Sequence, residues 1–329
     1  MSSPARSSRR WGSLALRLAI ALALLGYLAE SGAIEWRSLL RLLDEWPRTV
    51  AALALFGACS IVTALRLPLL LRPMGFHLAP PAAVRLAFIG MFFNLCLPGG
   101  AGGDAVKIYY SIEGHRGTRA ELATIVMLDR AVGLLAMLAW PLLALPAFPG
   151  LLAHSPMLHV LISLSGVATL GGGAALALVT LTPTAAWTRV SRAIARLPLG
   201  RLVERILEQV RSYRAHAGRL AGALGVSLLA HTLAVGVMLL LADIVVPGGV
   251  RPEMALLVPI GFVANTLPLT PGGLGVGEVA FGRLFEGVGL TGGVEVMLAW
   301  RVMLIAAAAL GLTFYLDGRR RFVERTISP

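Results

Sequence analysis

Long apolar runs separated by short polar stretches dominate the chain. Six are long enough to cross a bilayer, at 11–29, 50–71, 121–147, 157–181, 219–246 and 292–316, because a spanning helix needs about 20 apolar residues. None alternates apolar with polar residues as barrel strands do, so each run predicts a helix. Two further apolar segments, 82–97 and 253–270, are shorter. Each runs into a Gly/Pro cluster followed by a second short helical piece, near 102–112 and 275–288. Backbone broken in this way is tolerated at membrane depth only where protein or a water-filled cavity surrounds it. The pattern therefore predicts an all-α polytopic membrane protein with about six full spans and two re-entrant helical hairpins. Two short tilted spans in place of each hairpin are the alternative it leaves open.

Composition agrees with the pattern and adds an orientation. Hydrophobic residues make up 57% of the 329 and charged residues only 14%, against about 25% charged in soluble domains; the mean hydropathy is +0.79. Lys and Arg number 29 against 17 Asp and Glu, a net charge of +12, and Lys107 is the only lysine. In such a chain the excess marks cytoplasmic loops rather than a nucleic-acid partner. A cytoplasmic N-terminus puts 182–218, with seven arginines against Glu204 and Glu208, on the same side as Arg319, Arg320, Arg321 and Arg325. The opposite loops, 30–49 and 148–156, are acidic or neutral. The expectation is a multi-pass protein of the plasma (inner) membrane with both termini cytoplasmic, one domain over 1–329, and 182–218 as an amphipathic hairpin on the membrane surface. Span 11–29, after the basic Met1–Arg10, reads as retained rather than as a signal peptide. Cys59 and Cys96 both lie in apolar runs, so no disulfide framework, metal or other cofactor is expected.

An internal repeat sharpens the picture. Pro98-Gly99-Gly100-Ala101-Gly102-Gly103-Asp104-Ala105-Val106 and Pro271-Gly272-Gly273-Leu274-Gly275-Val276-Gly277-Glu278-Val279 agree at five of nine positions, and each carries one carboxylate. The only two asparagines, Asn94 and Asn265, each precede one cluster. About 30 residues beyond each, Leu128-Asp129-Arg130 and Ala299-Trp300-Arg301 set an arginine deep in an apolar run. Repeat one covers about 50–147 and repeat two about 219–316. Their leading spans run in opposite directions in the predicted topology, which makes the repeat inverted, as in secondary transporters that hold a site near the bilayer midplane.

Phe93-Asn94-Leu95-Cys96-Leu97-Pro98-Gly99-Gly100-Ala101-Gly102-Gly103-Asp104, Leu128-Asp129-Arg130-Ala131-Val132-Gly133 and Pro271 to Glu278 resemble the lysylphosphatidylglycerol synthase transmembrane-region family, also called the flippase-like domain family. The resemblance spans nearly the whole chain. It implies a domain that moves a lipid across the bilayer, preceding a soluble aminoacyl-transfer domain in bifunctional members. The chain stops at Pro329, and the expectation is a stand-alone member without that transferase.

The residues themselves suggest a chemistry. A Pro-Gly-Gly tip lets backbones approach and leaves N–H groups free, and the half-helix starting there points its positive end at mid-membrane, a ready anion site. Gly99, Gly100, Gly102 and Gly103 would form one tip and Gly272, Gly273 and Gly275 the other. Arg130 and Arg301 would reach the same depth, where an arginine marks function by default, and guanidinium recognises phosphate with paired donors. Asp104, Asp129 and Glu278 offer gating ion pairs, or plain structural pairs. Lys107 reads either as a further phosphate ligand or as snorkelling to the surface. Asn94 and Asn265 read as bonded to the broken backbone at the tips or to substrate. His231 reads as hydrogen-bonded packing rather than a proton relay, Arg66 as a headgroup contact or anchor at its span's inner end, and Gly171-Gly172-Gly173 as a close helix contact.

The expected function is a lipid flippase for an anionic, aminoacylated or polyprenyl-linked lipid, working without a nucleotide motor. The alternative is a secondary transporter for a small anionic solute. No His-Glu-x-x-His, Cys/His metal spacing or Gly-x-Ser-x-Gly occurs, so the chain is not expected to be an enzyme. The expected partner is a membrane lipid, with a second copy of the chain or a separate lipid-modifying enzyme as candidate protein partners.

Overall fold

The computed structural model describes residues 30, 36–96, 102–112, 119–149, 155–196, 200–266, 270 and 273–318. The protein is an all-α polytopic membrane protein, with no strand among the described residues. The described residues form thirteen α-helices in order: α1 (Trp36–Asp44), α2 (Trp46–Ala64), α3 (Arg66–Leu71), α4 (Pro80–Cys96), α5 (Gly102–Ile112), α6 (Arg119–Ala144), α7 (Pro156–Leu181), α8 (Thr184–Ala195), α9 (Gly200–Ser212), α10 (Ala217–Val245), α11 (Pro252–Asn265), α12 (Val276–Glu286) and α13 (Gly293–Gly318). Five stretches are long and apolar enough to cross a membrane: Trp46–Met74, Ala120–Ala147, Pro156–Leu181, Ile206–Val245 and Gly293–Asp317. They coincide with five of the six predicted spans; the sixth, 11–29, lies outside the described residues.

Helix lengths follow from local punctuation. Prolines open α4, α7 and α11 at the first helical turn, where their missing N–H costs nothing, and the Ser155 hydroxyl caps α7 by accepting from Leu158 N at 3.2 Å. The 26 residues of α6, α7 and α13 rise about 39 Å, enough for a core of about 30 Å. The 17 residues of α4 and 14 of α11 rise only about 25 and 21 Å, and the 11 of α5 and α12 about 16 Å. Each short pair packs on itself. α4 meets α5 where Gly90 faces Gly103, and α11 runs antiparallel to α12, with Gly261 against Phe281 and Asn265 against Gly277.

Equivalent helices of the two sequence repeats make equivalent contacts. The leading helices α2 and α10 pack together, Cys59 Sγ donating to Ala230 O at 3.3 Å. The first short helix of each repeat packs on the long arginine-bearing helix of the other, α4 on α13 and α11 on α6. At the first of these contacts Gly311 lies flat on the α4 backbone, and Phe88 and Phe93 meet Phe314 and Tyr315 edge to face at 6.0 and 5.2 Å. One apolar cluster centres on α10 to α13, and another joins α3, α4 and α6 to the start of α10. Within 184–218 the described residues include two short helices, α8 and α9, packed on each other and held by Arg211 over the Trp187 ring at 5.0 Å.

The glycine run of α7 departs from expectation at two of its three positions. Gly171 and Gly173 face nothing within 4 Å, and Gly172 alone approaches a neighbour, Leu135 of α6. The close helix contact is thus made by Gly172 alone; α7 packs chiefly on α6 and otherwise shows its leucines outward, Leu164, Leu170 and Leu178 all being exposed.

A Cβ at Gly311 would sit 2.0 Å from Phe88 O. Gly311→Val should therefore lower the thermal unfolding midpoint in detergent, by an overpacking cost of about 1–3 kcal/mol or more. Gly57→Ala, where a Cβ meets nothing within 4 Å, should not lower it.

Candidate functional site

Each repeat sets an intramembrane arginine against a carboxylate in the first turn of a half-length helix. In the second repeat the carboxylate is Glu278 of α12, where the positive helix end favours it. Arg301 Nε donates to Glu278 Oε1 at 2.9 Å, and Arg301 Nη2 donates to Asn265 Oδ1 at 2.9 Å and Gly273 O at 2.7 Å. Arg301 is 5% exposed and Glu278 fully buried. Three glycines make room for this knot. Gly273 and Gly275 take left-handed φ of +73° and +79°, and a Cβ at Gly277 would stand 2.7 Å from Asn265 Oδ1. Gly277 was not singled out in the sequence, where it stands opposite Asp104 of the other copy.

The first repeat is built differently. Asp104, in the first turn of α5, pairs with Arg130 of α6 at 2.5 Å, but the Arg130 side chain stays 48% exposed. Asn94 takes no arginine. Its Oδ1 accepts from Gly103 N at 2.7 Å, tying the end of α4 to the start of α5, and Gly90 leaves room for Gly103 to approach. Gly102 is the first residue of α5. Gly99, Gly100 and Gly272 lie outside the described residues.

Asp129 pairs with Arg66 of α3, not with its neighbour Arg130. Arg66 Nε and Nη2 donate to its two oxygens at 2.6 and 3.0 Å, and Arg66 Nη1 donates to Ser227 Oγ of α10 at 3.2 Å. Both members of the pair are buried. Arg66 is therefore neither headgroup contact nor edge anchor here, but the pin joining α3, α6 and α10. Gly133 permits it, since a Cβ there would lie 2.4 Å from Arg66 Nη1. His231 Nε2 donates to Gly133 O at 3.0 Å, which is the packing role expected of it. Lys107 Nζ points inward, 3.9 Å from Asp129 Oδ2, rather than snorkelling away.

Charge balance separates the two clusters. In the first, among the described residues, three cations (Arg66, Lys107 and Arg130) face two carboxylates (Asp104 and Asp129), and one cation is half exposed. In the second, one arginine faces one carboxylate and both are closed off. Sequence reasoning missed the Arg66 pair because its partners lie 63 and 161 residues away. The available signal was a lone arginine inside an apolar run, which has to find an acceptor.

The fold and these clusters define a polytopic helical membrane protein with charged pairs at broken helices. A model of the family described as the lysylphosphatidylglycerol synthase TM region matches residues 14–322, and the chain belongs to that family. No match to a curated protein or to a solved structure was found. Membership ties the chain to membrane-lipid handling.

Removing one partner of a buried ion pair leaves an uncompensated charge at a cost of about 3–5 kcal/mol, whereas replacing both by apolar groups is often neutral. Arg66→Ala should therefore lower the thermal midpoint strongly, and the double variant Arg66→Met/Asp129→Leu should recover most of the loss.

Proposed function

We propose that the chain is a lipid translocase that passes a phosphate-bearing lipid between leaflets, the headgroup phosphate being held near the bilayer midplane. The observation that carries this reading is the inequality of the two arginine clusters: Arg130 is half exposed beside a surplus of positive charge, while Arg301 is closed on Glu278. A phosphate offers guanidinium the same paired acceptors as a carboxylate, so it competes with Asp104 for Arg130 at little cost. The surplus cation at Lys107 favours the exchange. The positive end of the α5 dipole adds to the attraction.

In this reading the short helices are the arms of two re-entrant hairpins, because none of the four rises far enough to cross alone. The reciprocal packing of α4 on α13 and α11 on α6 suits an inverted repeat, in which the two clusters open in turn. The chain sits in the inner membrane with cytoplasmic termini, performs no covalent chemistry and has lipid as its partner. The substrate is an anionic, aminoacylated or polyprenyl-linked lipid.

The test is translocation of a fluorescent phosphatidylglycerol in proteoliposomes. Losing a charge-assisted hydrogen bond worth about 1.5–3 kcal/mol should slow Arg130→Ala by roughly 10- to 100-fold. Its thermal midpoint should fall less than that of Arg66→Ala, since this pair is half exposed where the Arg66–Asp129 pair is buried. Arg130→Lys should be intermediate, keeping charge but not the paired donors. A wild-type rate in Arg130→Ala would remove Arg130 from the pathway. Arg301→Ala is the less informative variant, because it strands Glu278 and weakens the fold as well.

A further inference from the structure

The helix that carries Arg130 also borders an apolar recess that none of these clusters uses. It has a volume of about 270 Å³ and lies between α6 and α7, lined by side chains that include Leu128, Leu134 and Leu138 of the first and Ala168 and Leu176 of the second, together with Gly172. Every lining residue is apolar. Ala168 and Gly172 are exposed, so the recess opens sideways, on the side of the molecule where α7 shows its leucines outward. Gly172 keeps it open, because a Cβ there would already press on α6 at 3.2 Å.

Position ties the recess to the charged cluster. Arg130 is the twelfth of the 26 residues of α6 and so lies near the middle of a spanning helix. Leu134 follows it by four residues, one turn along the same side, and lines the recess. From Leu128 to Leu138 is ten residues, a rise of about 15 Å. That is half of a hydrocarbon core of about 30 Å, the depth occupied by one leaflet's chains. A half-exposed cation at mid-membrane, one turn from Leu134 in the wall of an apolar recess about one leaflet long, matches an anionic amphiphile and not a small hydrophilic anion.

We infer that this recess seats one hydrocarbon chain of the lipid whose phosphate engages Arg130, an inference that rests on the translocase reading and specifies that its substrate is a chain-bearing lipid, held by tail as well as head. Gly172 and Ala168 are then the residues whose small size sets the space for the chain.

The experiment uses the full chain in bilayer nanodiscs of phosphatidylglycerol doped with an analogue that carries a diazirine in the middle of one acyl chain. After irradiation, adducts are mapped by peptide mass spectrometry. Adducts should concentrate on 128–138 and 168–176, and the groove-filling variants Ala168→Phe and Gly172→Leu should lose them. Leu170→Phe, on the outward face of α7, should keep them. Even labelling of all outward-facing helices, unchanged in the filled variants, would overturn the inference. The same samples are assayed for phosphatidylglycerol translocation, which separates the two claims. Normal translocation with even labelling removes the chain seat and leaves the translocase. Localised labelling lost on filling, with no translocation, supports the seat and removes the translocase.

Discussion

An arginine placed in hydrocarbon has to find an acceptor, and this requirement organises the molecule. Arg66, Arg130 and Arg301 all lie within apolar helices, and each takes a carboxylate from another helix: Asp129, Asp104 and Glu278. The pairs choose the neighbours. Arg66 holds α3 to α6 and, through Ser227, to α10; Arg130 holds α6 to α5; Arg301 holds α13 to α12 and to the end of α11. Two of the three carboxylates stand in the first turn of a half-length helix, where the peptide dipoles add to their stabilisation. Broken helices thus supply the places in the membrane where a charge is affordable.

The same constraint explains why the two repeats are not interchangeable. Asn265 accepts from Arg301, whereas Asn94 accepts from the Gly103 backbone, and Arg130, paired with Asp104, stays half exposed. One arginine is therefore closed in by carboxylate, amide and carbonyl, and the other is half exposed. A site that exchanges a carboxylate for a lipid phosphate needs this incomplete satisfaction. A site that holds two halves of a protein together needs the opposite. In the proposed translocase Arg130 is the first kind of site and Arg301 the second.

Much of this was legible in the residues because membrane helices are specified locally. Apolar length alone located four of the five described spans to within a few residues, the fifth starting at Ile206 rather than at 219, and the Gly/Pro breaks located the four short helices. The rarity of asparagine and of arginine in apolar runs pointed to Asn94, Asn265, Arg130 and Arg301. What stayed hidden was pairing. Asp129 adjoins Arg130 in sequence, yet neighbours on a helix point about 100° apart, and the acceptor for Arg66 had to come from 63 residues away. The Gly171 to Gly173 run looked like a packing surface because small residues usually serve one. Whether a partner helix lies opposite is a tertiary fact, and for Gly171 and Gly173 nothing does.

The central claim is that the Arg130–Asp104 pair is the exchangeable one. The most direct measurement is an experimental structure in phosphatidylglycerol nanodiscs, with an antibody fragment bound to supply mass. The account predicts a lipid phosphate within hydrogen-bond distance of Arg130, with Asp104 turned away and Arg301 still closed on Glu278. An Arg130 that stays closed on Asp104 in a lipid-filled bilayer, with no phosphate near it, would contradict the account.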